Sequence, residues 1–264
     1  MTRKAAAIFD EFMRGRYNLD RSAIRPEKDV KAMPAASQPT WFLESCFISR
    51  RPDPVAAEKL HDFRSMRGRI LYDRGRRPEF RSDRREYVDV QDMDLGAWHF
   101  VARRNGDEKA VGYIRVAAPG DGCLFQTQLH LGEDRYAGLL EAEGLCAGEV
   151  YEGGRMVVDA SARGKGLGAH LLAVSLAAAR ALGVGALVGI AGTADGQTAL
   201  FRRFGFRIVP GSRAYIEHYT EDVVAVLNRI SEGAGEFERL VEHMSTDGDL
   251  LSTQRRTQIY EREG

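Results

Sequence analysis

The stretch "DASARGKGLGAHLL", Asp159 to Leu172, constrains this chain more than any other. It sets Gly164, Gly166 and Gly168 between the apolar run "MVV" and an Ala/Leu-rich segment. The pattern reads as strand, glycine turn, helix. A helix beginning exposes unpaired backbone N–H groups and carries partial positive charge. Glycines at that point let the main chain come close to a phosphate, because no Cβ intervenes. Gly164, Gly166 and Gly168 would supply close approach, and Arg163 and Lys165 would add charge. The spacing is neither a GxxxxGK[ST] loop nor GxGxxG. On the glycines alone, a plain structural turn competes with a diphosphate cradle.

The surroundings predict an α/β domain. "WFLESCFISR" reads as a strand and "DPVAAEKLHDFRSMRGRILYDR" as a helix, with Asp53 as N-cap and Pro54 in its first turn. Two strands follow, "WHFVARR" and "AVGYIRVAA", about the turn "NGDEK". Residues 118–147 are ambiguous, with a helix near "YAGLLEAEG". "EVYEGGRMVVD" is a strand, "GLGAHLLAVSLAAARALG" a helix ended by Gly183, and "ALVGIAG" a buried strand. "GQTALFRRFGF" is a short helix, and "RAYIEHY" and "EDVVAVLNRI" are closing strands. The expected organisation is an N-terminal helix and linker over 1–40, the α/β domain over 41–230, and a helical then polar extension over 231–264. The N-terminal helix would carry Ala7, Ile8, Phe12 and Met13 on one face. The polar end is expected to be partly disordered.

Composition narrows the function. The 264 residues carry 38 Lys plus Arg against 38 Asp plus Glu. This balance argues against a general nucleic-acid binder, whose footprint is basic. Cys46, Cys123 and Cys146 form no CxxC pair, and His61, His130, His170, His218 and His243 show no metal-ligand spacing, so no metal is expected. No apolar run approaches the roughly 18 residues of a membrane span, and no signal peptide is evident. A cytoplasmic setting is expected.

"VVDASARGKGLGAHLL" resembles the acyl-CoA-binding motif R/Q-x-x-G-x-G/A of the GCN5-related N-acetyltransferase (GNAT) superfamily, here Arg163 to Gly168. The following helix, strand and "ALFRRFGFRIV" resemble the same family's later elements. The resemblance implies a mixed, twisted sheet in which two central parallel strands splay and admit the donor's pantetheine arm, with helices on its flanks. The backbone of Met156, Val157 and Val158 would pair with that arm, and Arg163, Gly164, Lys165, Gly166, Leu167, Gly168 and Ala169 would hold the diphosphate. Acetyl-CoA, or another acyl-CoA, would be the co-substrate and a small amine the acceptor. A narrower resemblance links "EGGR", Glu152 to Arg155, to the E-x-S-R strand of acyl-homoserine-lactone and N-acyl amino acid synthases. There the acidic pair would be Asp89 and Asp92, with Arg155 and His99 also on the acceptor side; the competing readings are that Arg155 pairs with Glu152 or Asp89 and that His99 is a structural histidine bonding a carbonyl. Gly154 stands where that motif has serine. This branch implies a longer acyl chain brought by CoA or an acyl carrier protein.

Acyl transfer to an amine needs a neutral nucleophile and a stabilised leaving thiolate. Glu152 and Glu149 lie on opposite faces of a regular strand, so only one can face the cleft, unless Gly153 and Gly154 admit a bulge. Glu152 is favoured as base on the resemblance; a carboxylate simply paired with an arginine is the bland alternative. The tyrosine that many family members use as an acid is matched here by Phe201, which has no proton to give. Tyr151, Tyr215 or Tyr219 could substitute, with Tyr215 the candidate carried forward, or the thiolate could leave with help from backbone N–H groups and water; a packing role competes for each tyrosine. Arginines crowd residues 64–85. They would form a solvated loop, a dock for an acidic carrier protein, or a site for the CoA 3′-phosphate or an acidic acceptor. A catalytically silent ligand-sensing module of the same fold is the reading from another class. The terminal helices could mediate a homodimer.

Overall fold

The computed structural model describes residues 41–75, 78–81, 86–120, 123–194, 196–245, 250–251 and 256–259. The expected N-terminal helix and linker lie outside them. Strand β1 (Trp41–Ile48) leads into α1 (Pro54–Asp73), whose N-cap Asp53 accepts from the Ala56 N–H at 2.8 Å. This is the N-cap and first-turn proline read from the sequence. Next come β2 (Ala97–Arg104), β3 (Ala110–Ala117), and two short helices, α2 (Gln126–Leu131) and α3 (Glu133–Glu143). Gly132, at φ 80°, separates α2 from α3 and breaks the stretch in which one helix was expected.

Strand β4 (Val150–Val158), helix α4 (Leu167–Ala181) and strand β5 (Ala186–Gly192) form a parallel crossover unit. Helix α5 (Gln197–Arg203), strands β6 (Arg207–Ile208), β7 (Ala214–Ile216) and β8 (Glu221–Arg229), helix α6 (Glu238–Ser245) and strand β9 (Arg256–Ile259) complete the described chain. The sheet order is β6-β8-β5-β4-β3-β2-β1-β9, with β7 also on β8. Only β4 and β5 run parallel; every other neighbour is antiparallel.

Helix α4 is buried along most of its length. Its Ala173, Ala177, Ala178 and Ala179 let it lie close to the sheet, while Leu167, Leu171, Leu172 and Leu176 fill the core. Leu240, Val241 and Met244 of α6 join that cluster, so this helix, expected in the extension, packs into the same core as α4. The polar end contributes one described strand. Residues 256–259 pair with β1 from Trp41↔Ile259 to Glu44↔Arg256 and cover a sheet edge. An unpaired edge leaves a row of unsatisfied backbone groups, which outweighs the weak strand signal of "RTQI". No described helix is long and apolar enough to cross a membrane.

Candidate active site

Two features of β4 create a cleft. Its pairing with β5 ends at Glu152↔Val188, so the β5-facing edge of residues 153–158 has no strand partner. On the other edge, Tyr113 pairs with Val157 but Arg115 with Gly154, so β4 carries one extra residue. The bulge contains Arg155, at φ 56°. A β-bulge re-aims side chains out of the regular alternation. The cleft runs through the splay, lined by Glu152, Gly153, Gly154, Arg155, Met156 and Val157 of β4, and by Leu187 and Ile190 of β5. Arg115, Gln126, Leu172, Phe201, Phe206 and Tyr219 complete its walls. A bulge of the kind Gly153 and Gly154 could admit is present, one residue beyond the glycine pair.

At the far end of β4, Asp159 begins the glycine turn. Its Oδ1 accepts from the Ser161 N–H at 3.0 Å and the Ser161 hydroxyl at 2.8 Å, and its Oδ2 accepts from Arg69 at 3.1 Å. Burial opposes ionisation, but these bonds hold the Asp159 carboxyl down at about 2. Gly164 (φ 75°) and Gly166 (φ 83°) adopt the left-handed backbone that favours glycine, and a Cβ at either would meet nothing within 4 Å. Gly166 is the N-cap of α4. Among the described residues no protein acceptor takes the N–H of Gly164, Gly166, Leu167 or Gly168. The bend is therefore open, with its donors unengaged by the fold. Arg163 turns its Nε back onto the Val158 carbonyl at 3.0 Å, which ties the turn to β4 and occupies that carbonyl.

On the other side of the cleft lies a buried ionic cluster. Gly68 permits it: a Cβ there would stand 2.8 Å from the Val88 nitrogen, so glycine lets the segment 87–94 lie against α1. Arg67 of α1 forks onto Asp94, Nη1 to Oδ1 at 2.7 Å and Nη2 to Oδ2 at 2.8 Å. It also donates to the Asp89 carbonyl at 2.6 Å and the Tyr113 hydroxyl at 2.9 Å. Arg115 reaches Asp94 Oδ1 at 2.6 Å and Arg64 reaches Oδ2 at 2.9 Å. Asp89 Oδ2 lies 3.2 Å from Nε of both Arg67 and Arg155. Burial works against the Asp94 charge, yet Arg67, with Arg115 and Arg64, holds its carboxyl far below the usual carboxylate range.

His99 is locked into the same cluster. Its Nε2 lies 2.9 Å from the Asp94 carbonyl and its Nδ1 lies 2.7 Å from the Tyr113 hydroxyl. A carbonyl only accepts, so Nε2 carries the hydrogen and Nδ1 accepts from Tyr113. Burial pushes His99 down to about 3 and Tyr113 up to about 12.

Glu152 is 1% exposed. Its Oε2 accepts from the Thr127 N–H at 2.8 Å and the Thr127 hydroxyl at 2.9 Å. Burial raises its carboxyl above the ordinary value, against the pull of Thr127 and Arg115. Glu152 Oε1 and Arg115 Nη2 are buried without hydrogen-bond partners. They lie 3.5 and 3.4 Å from where a Gly154 Cβ would stand, so both face the space its missing side chain leaves. Buried donors and acceptors of this kind bond to water or to a ligand group.

The expected site residues separate in space. Glu152, Arg155, Met156 and Val157 line the cleft, and Asp89 and His99 belong to the cluster behind it. Asp92 does not: it is exposed, and Asp94 occupies the place the spacing assigned to it. Tyr215 is 64% exposed on β7 and does not line the cleft, because strand alternation and the outer position of β7 turn it outward; Tyr219 lines the cleft instead. Glu149 is exposed and accepts from the Cys146 N–H. Arg115 and Asp94 went unread in the sequence. A charged residue within the apolar strand "AVGYIRVAA" was the available signal for Arg115. The arginine-rich run divides: Arg64, Arg67 and Arg69 are held by Asp94, Asp89 and Asp159.

A splayed parallel pair beside a glycine-opened helix beginning is the architecture of an acyltransferase of the GNAT fold. Residues 60–206 match the family model described as "Acetyltransferase (GNAT) family", and the chain belongs to that family. Among solved structures it is similar to TofI, captured with an inhibitor and MTA, at TM-score 0.54 and 18% identity, covering 76% of this chain and 96% of that one. It is equally similar to BjaI, described as a CoA-dependent acyl-homoserine lactone synthase, at TM-score 0.54 and 18% identity over 78% of this chain and 90% of that one. A second synthase so described, MesI, aligns at TM-score 0.50 and 16% identity over 78% and 95%. At these identities the likeness is one of fold. No curated protein matches the sequence.

Proposed function

We propose that this protein is an N-acyltransferase that moves an acyl group, acetyl by default, from acyl-CoA to a small amine acceptor. The amine attacks the thioester directly while both substrates are bound. The observation that carries this reading is the open glycine bend at the α4 beginning, with unengaged N–H groups, which follows directly on β4, the strand whose residues Glu152 to Val157 line the cleft. The N–H groups of Gly164, Gly166, Leu167 and Gly168 bind the diphosphate, and Lys165 adds charge. The unpaired edge of β4 receives the pantetheine amides. Glu152, its basicity raised by burial, takes the proton from the attacking nitrogen through Oε1, while Thr127 holds Oε2. Arg115 Nη2 answers a polar group of the acceptor.

The test is calorimetry with CoA, and thiol release from acetyl-CoA with a panel of primary amines. Absence of CoA binding refutes the reading; tight binding without turnover favours a silent sensing module. One observation favours a second reading, a synthase that makes an N-acyl amino acid or lactone from a longer chain on CoA or a carrier protein. The acceptor side is a cluster of arginines and aspartates, and Ile114, Leu172, Leu187, Phe201 and Phe206 give the cleft an apolar wall that suits a longer chain. Turnover only with long-chain donors supports that reading.

A further inference from the structure

A proton donor speeds departure of the thiolate, and Phe201, buried edge-on against Phe206 at 4.9 Å, cannot give a proton. Among the described tyrosines, Tyr219 is the one that lines the cleft. Tyr113 is consumed by Arg67 and His99, Tyr72 and Tyr87 pack on each other with Arg81, and Tyr151 packs into the core beside α4. The other polar cleft residues are unsuited: guanidinium groups stay protonated, the Gln126 and Gln197 amides are not acids, and Glu152 is receiving a proton.

The backbone is bent to bring Tyr219 there. The described chain has three non-glycine residues in the left-handed region, Glu108, Arg155 and Thr220. Arg155, in the β4 bulge, donates from Nη1 to the Tyr219 hydroxyl at 3.3 Å. Thr220, at φ 56°, ends the tight turn 217–219 that carries Tyr219 into β8. Both partners of this contact thus depend on an unfavourable conformation, and such strain gathers at functional sites. The contact spans the splay, from β4 to the segment preceding β8. Asp89 anchors Arg155 from behind at 3.2 Å.

We propose that Tyr219 is the general acid of the reaction, taking from a different element the role that Phe201 cannot fill. The inference rests on the acyl-transfer reading above. The nitrogen lone pair forms the C–N bond, the C–S bond breaks with its electron pair going to sulfur, and the Tyr219 hydroxyl gives its proton to that sulfur. Arg155 carries the negative charge left on the phenol oxygen, which solvent then reprotonates. The amine proton goes to Glu152.

The test uses the full chain, acetyl-CoA and whichever primary amine of the panel turns over, with thiol release followed against pH. Tyr219→Phe should lower kcat about 100-fold with the KM for acetyl-CoA within about twofold, as loss of a general acid does. Replacing Tyr219 by a fluorotyrosine, which keeps the shape but has a more acidic phenol, should move the alkaline limb of the kcat profile to lower pH. A Tyr219→Phe enzyme with kcat within about twofold of wild type overturns the assignment. So does an alkaline limb that the fluorotyrosine leaves in place, even where Tyr219→Phe is inactive. Wild-type protein that neither binds CoA nor releases thiol overturns the acyl-transfer reading, and this assignment with it.

Discussion

Asp94 holds the buried ionic cluster beside the cleft together, and Asp94→Asn measures how firmly. Asparagine keeps the shape and one acceptor but puts an NH2 where Oδ2 stood. Oδ2 now takes Arg67 Nη2 at 2.8 Å, Arg64 Nε at 2.9 Å and the Gln91 N–H at 3.3 Å. In the variant these donors face a donor. The charge is lost as well, leaving Arg64, Arg67 and Arg115 with Asp89 as the carboxylate of the cluster. The Arg67 and Arg115 side chains are 0% exposed and Arg64 only 19%, so solvent cannot compensate. Removing one partner of a buried pair destabilises by about 3–5 kcal/mol. For a domain of this size that lowers Tm by about 6–20 °C, at roughly 2–4 °C per kcal/mol. The assay is thermal and urea unfolding of the full chain by circular dichroism. Asp92→Asn serves as control, an exposed change expected to stay within about 0.5 kcal/mol. An Asp94→Asn protein within about 1 kcal/mol of wild type refutes the argument that this cluster is tightly coupled and dry.

Gly166→Val should weaken CoA binding at least about tenfold in calorimetry while destabilising by only about 1–2 kcal/mol, the strain of a left-handed β-substituted residue, since its Cβ meets no neighbour; unchanged affinity removes the cradle. Glu152→Gln should lower kcat/KM and abolish the acid limb of its pH profile, because the raised carboxyl is inactive as a base when protonated; a limb that persists assigns the titration elsewhere. His99 makes stability pH-dependent. Its imidazole is pushed down to about 3 in the fold from an ordinary 6.5, so between those values the unfolded chain binds a proton that the folded chain does not. Stability should therefore fall as pH drops through that window, by up to about 1.4 kcal/mol per unit, and His99→Gln should flatten that part of the curve in urea titrations at successive pH values.

What the sequence determined by itself is local. The glycine bend, the helix it opens, the Asp53 cap and the small-residue face of α4 each depend on neighbours within a few positions. Backbone freedom, capping and periodicity suffice to read them. Glu152 was legible because it lies on the strand that leads into that bend. The tertiary structure alone decided which charges are buried. Asp92 and Asp94 differ little as sequence, yet Arg67 arrives from α1 and Arg115 from β3 to select Asp94. The arginine-rich run read as one basic feature because the carboxylates that hold Arg64 and Arg67, and the Asp159 that takes Arg69 besides its local partner Asp73, lie at least 22 residues away in sequence. The same holds for Tyr219, placed against Arg155 across 64 residues, and for β9, whose strand character comes from the edge it covers. Electrostatic partners and sheet edges are properties of chain closure, and no local pattern encodes them.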